Sequence, residues 1–281
     1  MGWGNFDFTA YAFEALHRDS LCVNTALRQR QLQLHWFADW TPHLETHAYI
    51  RAGWQDGYAY QSFSGIARLS WGERKYDGFF LRRYAYSSKY PVLYLGTEFG
   101  HWASSQGQSS SRLYAHLRVM LRQQAQLGMG GQLTYALQAG ALFGHVPTTL
   151  LWQADGNQGY AYDPYRFTFL HGRQLLADKY VTLQTEWNGM GILFNLIPGI
   201  RWLHLRELVE AKVAYGYLSN KPSGIIGTTG HSVYAEVGVG IGNILRVCDL
   251  YSVGGFLPVT NNPTPTSSYY WGMRFRIHLG L

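Results

Sequence analysis

Residues 269–281 read Tyr269-Tyr270-Trp271-Gly272-Met273-Arg274-Phe275-Arg276-Ile277-His278-Leu279-Gly280-Leu281. From Trp271 onward the alternation is unbroken. Trp271, Met273, Phe275, Ile277, Leu279 and Leu281 take one set of positions, and Gly272, Arg274, Arg276, His278 and Gly280 take the other. A period of two is that of a strand, because successive side chains point to opposite faces of a sheet. One face is wholly apolar and the other is cationic or small. That suits the last strand of an outer-membrane β-barrel, whose apolar face meets lipid and whose polar face meets a wet lumen.

The same alternation recurs upstream. Leu32, Leu34, Trp36, Ala38 and Trp40 share a face against Gln31, Gln33, His35 and Asp39. Ala48, Ile50, Ala52 and Trp54 follow, then Phe63, Gly65, Ala67, Leu69 and Trp71. Further strands read out over 132–143, 181–187, 209–217 and 233–241. Each is long enough to cross a bilayer as a tilted strand. Residues 5–16, 77–86, 91–101, 165–172 and 245–256 are weaker strand candidates. Residues 112–124 fit both periods, since Leu113, Leu117 and Leu121 also define a helical face. Their neighbours are strands, so a strand is expected. The total is about fourteen strands, long enough to span and separated by turn-like stretches at 104–111, 128–131, 155–159, 220–230 and 261–268. Residues 193–205, apolar and broken by Pro198, predict a structured loop or short helix.

Composition agrees with a barrel. The 281 residues carry only 14% charged side chains against 16% aromatic ones, with 21 Tyr, 10 Trp and 32 Gly. Soluble proteins carry about 25% charge. Mean hydropathy is −0.17, and no run approaches the roughly 18 apolar residues of a spanning helix. The net charge of +6 comes from basic residues set singly at alternate positions, without a nucleic-acid-type run. Residues 1–7 have no basic and apolar leader of the secretory kind. The chain therefore reads as the C-terminal part of a longer protein. The two cysteines, Cys22 and Cys248, allow one disulfide in an oxidising compartment without requiring it.

Three motifs suggest chemistry, and each has a plainer account. Gly238-Val239-Gly240-Ile241-Gly242 has the wrong spacing for a dinucleotide fingerprint and lies inside an alternating strand. It predicts a lane of small residues on the Glu236 face, open to a loop or plug. His43-Leu44-Glu45-Thr46-His47 is not the HExxH of a zinc protease. On a strand its two histidines stand roughly 13 Å apart, too far for one ion. His17, Asp19 and Ser20, or His101 with Ser104 and Ser105, offer hydrolase-type residues at a rim, but no triad spacing fixes them. No cofactor and no metal site is expected.

Several linked stretches carry a family resemblance. Residues 140–147 (GALFGHVP) with Leu150, Leu151 and 155–158 (DGNQ) form the first, and 177–181 (ADKYV) with Glu186 the second. Leu193, Asn195, Ile197 and Pro198, followed by 203–207 (LHLRE), form the third. Residues 234–244 (YAEVGVGIGNI) and 89–93 (KYPVL) complete the set. From about residue 60 onward the chain resembles the Bacteroidetes-type outer-membrane family of unknown function with an N-terminal carboxypeptidase-regulatory-like domain. That family's barrel is similar to the BamA/TamA insertase and surface-antigen superfamily.

The resemblance implies a sixteen-stranded barrel, with about two strands upstream of this chain. The Arg-Gly-Phe/Tyr loop signature of the insertases is missing; His171-Gly172-Arg173 stands in its neighbourhood. It also implies that Trp271, Phe275, Ile277, Leu279 and Leu281 form the C-terminal signal read by the barrel assembly machinery. Asp178, Glu186, Arg206 and Glu207 lie in family-matched stretches and are expected at strand ends or on the wet face, able to pair with one another. Glu236, Arg274 and Arg276 are expected to face the lumen.

The expected whole is an all-β, transmembrane, antiparallel barrel domain over residues 1–281. It is non-enzymatic, sits in the cell outer membrane, and meets lipid and lipopolysaccharide. Its expected role is to assist assembly or transport of outer-membrane or surface components. A barrel hydrolase with a His/Ser or His/Asp rim site is the alternative.

Overall fold

The computed structural model describes residues 29–55, 58–77, 82–85, 89–104, 111–147, 150–154, 156, 160–170, 175–219, 230–259 and 269–277. In chain order the strands begin with β1 (Gln29–Thr41), β2 (Leu44–Gln55), β3 (Tyr58–Leu69), β4 (Arg74–Asp77) and β5 (Arg82–Ala85). Next come β6 (Val92–Ser104), β7 (Ser111–Gln126), β8 (Gln132–Phe143), β9 (Trp152–Gln153) and β10 (Leu176–Ala177). The last five are β11 (Lys179–Asn188), β12 (Arg206–Leu218), β13 (Gly230–Ile244), β14 (Cys248–Val259) and β15 (Tyr269–Ile277). No α-helix occurs among the described residues.

Eleven strands form one antiparallel wall in the order β1-β2-β3-β6-β7-β8-β11-β12-β13-β14-β15. Each pairs with its neighbours in sequence, apart from two excursions. The first is a ribbon, β4 with β5, between β3 and β6. The second carries the small pair β9–β10 between β8 and β11. Residues 112–124 lie within β7, so the strand reading prevails over the helical one.

Eleven of the fourteen expected strands thus stand in the wall. Of the candidate at 77–86, Asp77 and residues 82–85 fall instead on the β4–β5 ribbon, a sheet separate from the wall, and the rest lies outside the described residues. Residues 165–170 form turns and a single bridge rather than a strand. Pro164 removes a backbone donor there, and the segment's bonds go to side chains of the wall. The candidate at 5–16, Cys22, Leu279 and Leu281 lie outside the described residues.

The alternation read from sequence sorts the two faces. Every wall strand exposes large apolar side chains outward, from Leu32 and Leu34 on β1 to Met273, Phe275 and Ile277 on β15. The inner face carries Glu45, His47, Arg68, His116, Glu186, Glu210, Lys212, Glu236 and Asp249, all buried. The wall is strongly curled. Arg276 on β15 reaches Glu186 on β11, Nη1 to Oε2, at 3.1 Å. Four inter-strand steps of a flat sheet would hold those backbones about 19 Å apart, beyond the reach of the two side chains.

Some glycines and tyrosines of the wall are coupled. A Cβ on Gly100 would meet the Tyr114 ring at 2.3 Å, and one on Gly140 would meet the Tyr180 ring at 2.5 Å. Inward tyrosines lie flat over glycines of the adjacent strand. The lane on β13 works the same way. A Cβ on Gly238 would meet Glu210 at 2.7 Å, and one on Gly242 would meet Leu208 at 2.9 Å. The lane does face inward, but it receives side chains of neighbouring strands rather than a loop.

At the β1–β2 turn Pro42 occupies the corner, and Thr41 Oγ1 accepts from His43 N at 3.2 Å and Leu44 N at 3.0 Å. His43 Nδ1 meets the Ser70 carbonyl at 2.9 Å, whereas His47 turns inward and stacks on His35.

Candidate functional site

The described residues of the segment between β8 and β11 pack against the inner face of the wall. Its aromatic residues meet wall cations. Tyr165 lies under Arg122 of β7 at 4.0 Å, Tyr162 under Lys212 of β12 at 4.7 Å, and Phe169 under Arg274 of β15 at 5.2 Å. Tyr162 also stacks on Tyr251 of β14 at 3.7 Å, and Trp152 on Tyr180 of β11 at 3.9 Å. Phe167, Leu170 and Leu175 join Ala214 and Tyr234 in one apolar cluster. Three of the four buried apolar clusters lie between this insert and the wall, and the fourth, Tyr49, Ile66, Val92 and Tyr94, lies on β2, β3 and β6.

Charged side chains of the wall hold the insert's backbone. The Glu236 carboxylate accepts from Thr168 N at 2.8 Å and Phe169 N at 2.9 Å, and also from the Tyr234 hydroxyl. Arg274 Nη2 donates to the Thr168 carbonyl at 3.1 Å. Lys212 donates to the carbonyls of Asp163 and Arg166 at 3.0 and 2.8 Å, and pairs with Glu210 at 3.0 Å. Two of the ammonium's three donors are taken by those carbonyls, and the Glu210 carboxylate, whose oxygens accept no hydrogen bond among the described residues, supplies the opposing charge. That matters because both Lys212 and Glu210 are 0% exposed, and an unsatisfied buried charge is strongly destabilising.

The same segment also pairs with the last strand. Phe275 N donates to the Tyr160 carbonyl at 3.0 Å, and Tyr162 N donates to the Phe275 carbonyl at 2.6 Å. The outer edge of β15, beyond its pairing with β14, is therefore bonded at Phe275 by an internal segment of the chain.

Two further ionic groups brace the interior. Arg276 binds Glu186 and Asp249 together, the latter at 2.8 Å. Glu98 on β6 takes Arg51 from β2 at 2.9 Å and Arg118 from β7 at 3.5 Å. Among the described residues no group of three or more His, Cys, Asp or Glu side chains could hold a metal ion.

Glu207 acts at the rim. Its carboxylate accepts from Gly191 N at 2.9 Å, Phe194 N at 2.7 Å and Leu193 N. It thereby fixes the β11–β12 connection, which makes single 3-10 turns at Phe194–Leu196 and Arg201–Leu203. The structured loop expected at 193–205 is thus present, with the Glu207 carboxylate as an anchor of its first half. Glu207→Ala is expected to loosen this loop at a cost of about 1–3 kcal/mol, the range for leaving such donors unmade. Amide hydrogen exchange at 191–196 should rise while exchange in β13 stays unchanged.

The structure distributes the expected site residues over separate tasks. Asp178, Glu186, Arg206 and Glu207 do not pair with one another. Asp178 Oδ2 accepts from Ser219 N at 3.0 Å at the end of β12. Glu186 binds Arg276, Glu207 binds backbone, and Arg206 is exposed at the start of β12. Glu236, Arg274 and Arg276 do face inward. Trp271, Phe275 and Ile277 lie on the outer face. His101 and Ser104 fall on opposite faces of β6 by strand parity, and His17, Asp19, Ser20 and Ser105 lie outside the described residues.

Sequence reasoning missed Lys212, Glu210, Asp249 and the Arg51–Glu98–Arg118 group. Their signal was present as charges at polar positions of alternating strands. What was missing was the partner, which comes from distant strands or from the insert.

These features define a curled antiparallel β-wall with an apolar outside, a charged inside and an internal segment fastened to it. Residues 60–241, well over half of the chain, match the C-terminal domain of a family of unknown function (DUF5686), and the chain belongs to that family. None of the curated proteins matches it.

Proposed function

We propose that this chain is the membrane-embedded, non-enzymatic β-barrel part of an outer-membrane protein that assists assembly or transport of outer-membrane or surface components. The observation that carries the reading is the outer face. All eleven wall strands expose large apolar side chains there, whereas soluble proteins seldom expose contiguous apolar patches beyond a few hundred Å². Exposed tryptophans stand toward both ends of that face, Trp40 and Trp71 at one and Trp54 and Trp271 at the other. Interfacial girdles of barrels have this form. Wall strands of nine to sixteen residues suit the span.

The resemblance to the BamA/TamA superfamily and to a larger protein with a regulatory-like domain supports the assembly or transport role. Strand direction bears on closure. β1 and β15 are the first and eleventh strands of an antiparallel series, so they run the same way. Antiparallel closure takes an odd number of further strands between them, sixteen in all would need five beyond these eleven, and a strand joining β15 would displace the insert at Phe275. The insert is a plug in this reading, so the protein does not work as a wide open pore.

Gel migration of the chain refolded in detergent tests the proposal. Unboiled and boiled samples should run differently, as folded barrels resist the gel detergent until heated. Identical migration, together with solubility without detergent, would overturn the membrane reading.

A further inference from the structure

At the rim where β12 begins and β13 ends lies a cavity of about 420 Å³ lined by Met190, Asn195, His204, Arg206, Asn243 and Arg246. Its charge is one-sided. Arg206 and Arg246 are exposed and make no ion pair among the described residues. This sets them apart from Arg51, Arg68, Arg118 and Arg276, each of which holds a carboxylate. The nearby acids are engaged elsewhere. Glu207 is taken by the backbone of 191–194, and Asp249 by Arg276 and by Asn243 N.

The backbone here is unusual. Met190, His204, Asn243, Leu245 and Arg246 have φ between 50° and 64°, and they are all the non-glycine residues with positive φ among those described. Four of the five line the cavity and Leu245 adjoins it. Left-handed backbone costs a side-chain-bearing residue free energy, so its concentration marks a site held in shape by its surroundings. Here the Asn243 side-chain amide donates to the His204 carbonyl at 2.6 Å and ties the two rim connections together. Close to the lining residues in sequence, Trp202 is 76% and Leu245 86% exposed.

We propose that this cavity binds a phosphate group, carried by an anionic phospholipid at the membrane surface. Two unpaired guanidinium groups and two amides supply the donors that phosphate oxygens take, and guanidinium suits phosphate in bidentate geometry. Trp202 and Leu245 would meet the glycerol and upper acyl region, where tryptophan is enriched. The lipid as the source of the phosphate rests on the membrane reading above.

The test uses the full chain refolded in neutral detergent, with native mass spectrometry reading binding of short-chain phosphatidylglycerol and, separately, of inorganic phosphate. Phosphatidylglycerol should bind, and R206Q/R246Q should weaken it roughly tenfold or more, as expected for lost charge-assisted bonds. R246K should retain more affinity than R246Q, because it keeps the charge but not the fork. All three variants change exposed side chains, and heat-modifiable migration confirms that they fold. Arginine-dependent binding of inorganic phosphate as tight as that of the lipid would keep the site and assign it to a free phosphate. Lipid binding undiminished in the double variant, or no binding of either probe, would overturn the site. A chain that is not heat-modifiable yet binds phosphate through these arginines would keep the site while the membrane reading falls.

Discussion

Glu236→Ala is expected to destabilise the folded chain by about 3–5 kcal/mol, the sum for bonds from backbone donors to a charged acceptor. Glu236 is 1% exposed, and its carboxylate holds Thr168 N, Phe169 N and the Tyr234 hydroxyl. Alanine leaves the buried Thr168 amide and the half-buried Phe169 amide without partners and opens a gap beneath the insert. The insert should then detach from β13 before the wall unfolds. Two measurements follow this. Urea unfolding in detergent should show a lower midpoint, and trypsin should cut after Arg166 faster than in the parent chain. Glu236→Gln keeps the shape and one acceptor, so its loss should be about half as large. If both variants unfold at the parent midpoint and resist trypsin equally, the insert is not held by this carboxylate.

Val237→Arg is expected to cost about 2–4 kcal/mol, the range for a cation placed on the lipid face at mid-membrane. Val237 is near the middle of β13, faces outward and is 61% exposed. The prediction separates lipid from water as the surroundings of this face. An exposed valine on a water-facing sheet tolerates arginine within about 0.5 kcal/mol, and solubility would rise. In lipid the guanidinium has no water to meet, and the folded yield in vesicles should fall. Val213→Arg on β12, another outward position, should behave alike. A neutral result at both positions would place the outer face in water.

The wall was legible in the sequence because its signal is local. A strand buried on one face must alternate, so Trp271 to Ile277 and the stretch around Val237 declare both their conformation and their two faces. Eleven such stretches were read correctly, including 112–124, where helical spacing competed. The candidates at 77–86 and 165–172 misled over their described residues, 77, 82–85 and 165–170, because a short alternating run looks the same on a wall strand, on a side ribbon and on a turn-rich insert. The inward direction of Glu236, Arg274 and Arg276 was equally legible from parity. The task of each was not, because polarity says where a charge points and not what it meets.

The sequence by itself determined that the chain is all β, which residues face outward, and that charge and glycine belong inside. Each follows from a two-residue period acting over neighbouring positions. Only the tertiary structure decided that Glu186 meets Arg276 across the curl, since the two are 90 residues apart. It alone placed the segment around Tyr162 against the edge of the last strand. It alone set Arg206 beside Arg246 at one rim. Those juxtapositions depend on how far the sheet curls and where a long connection comes to rest. Both are sums over many residues, and no short window of sequence encodes them.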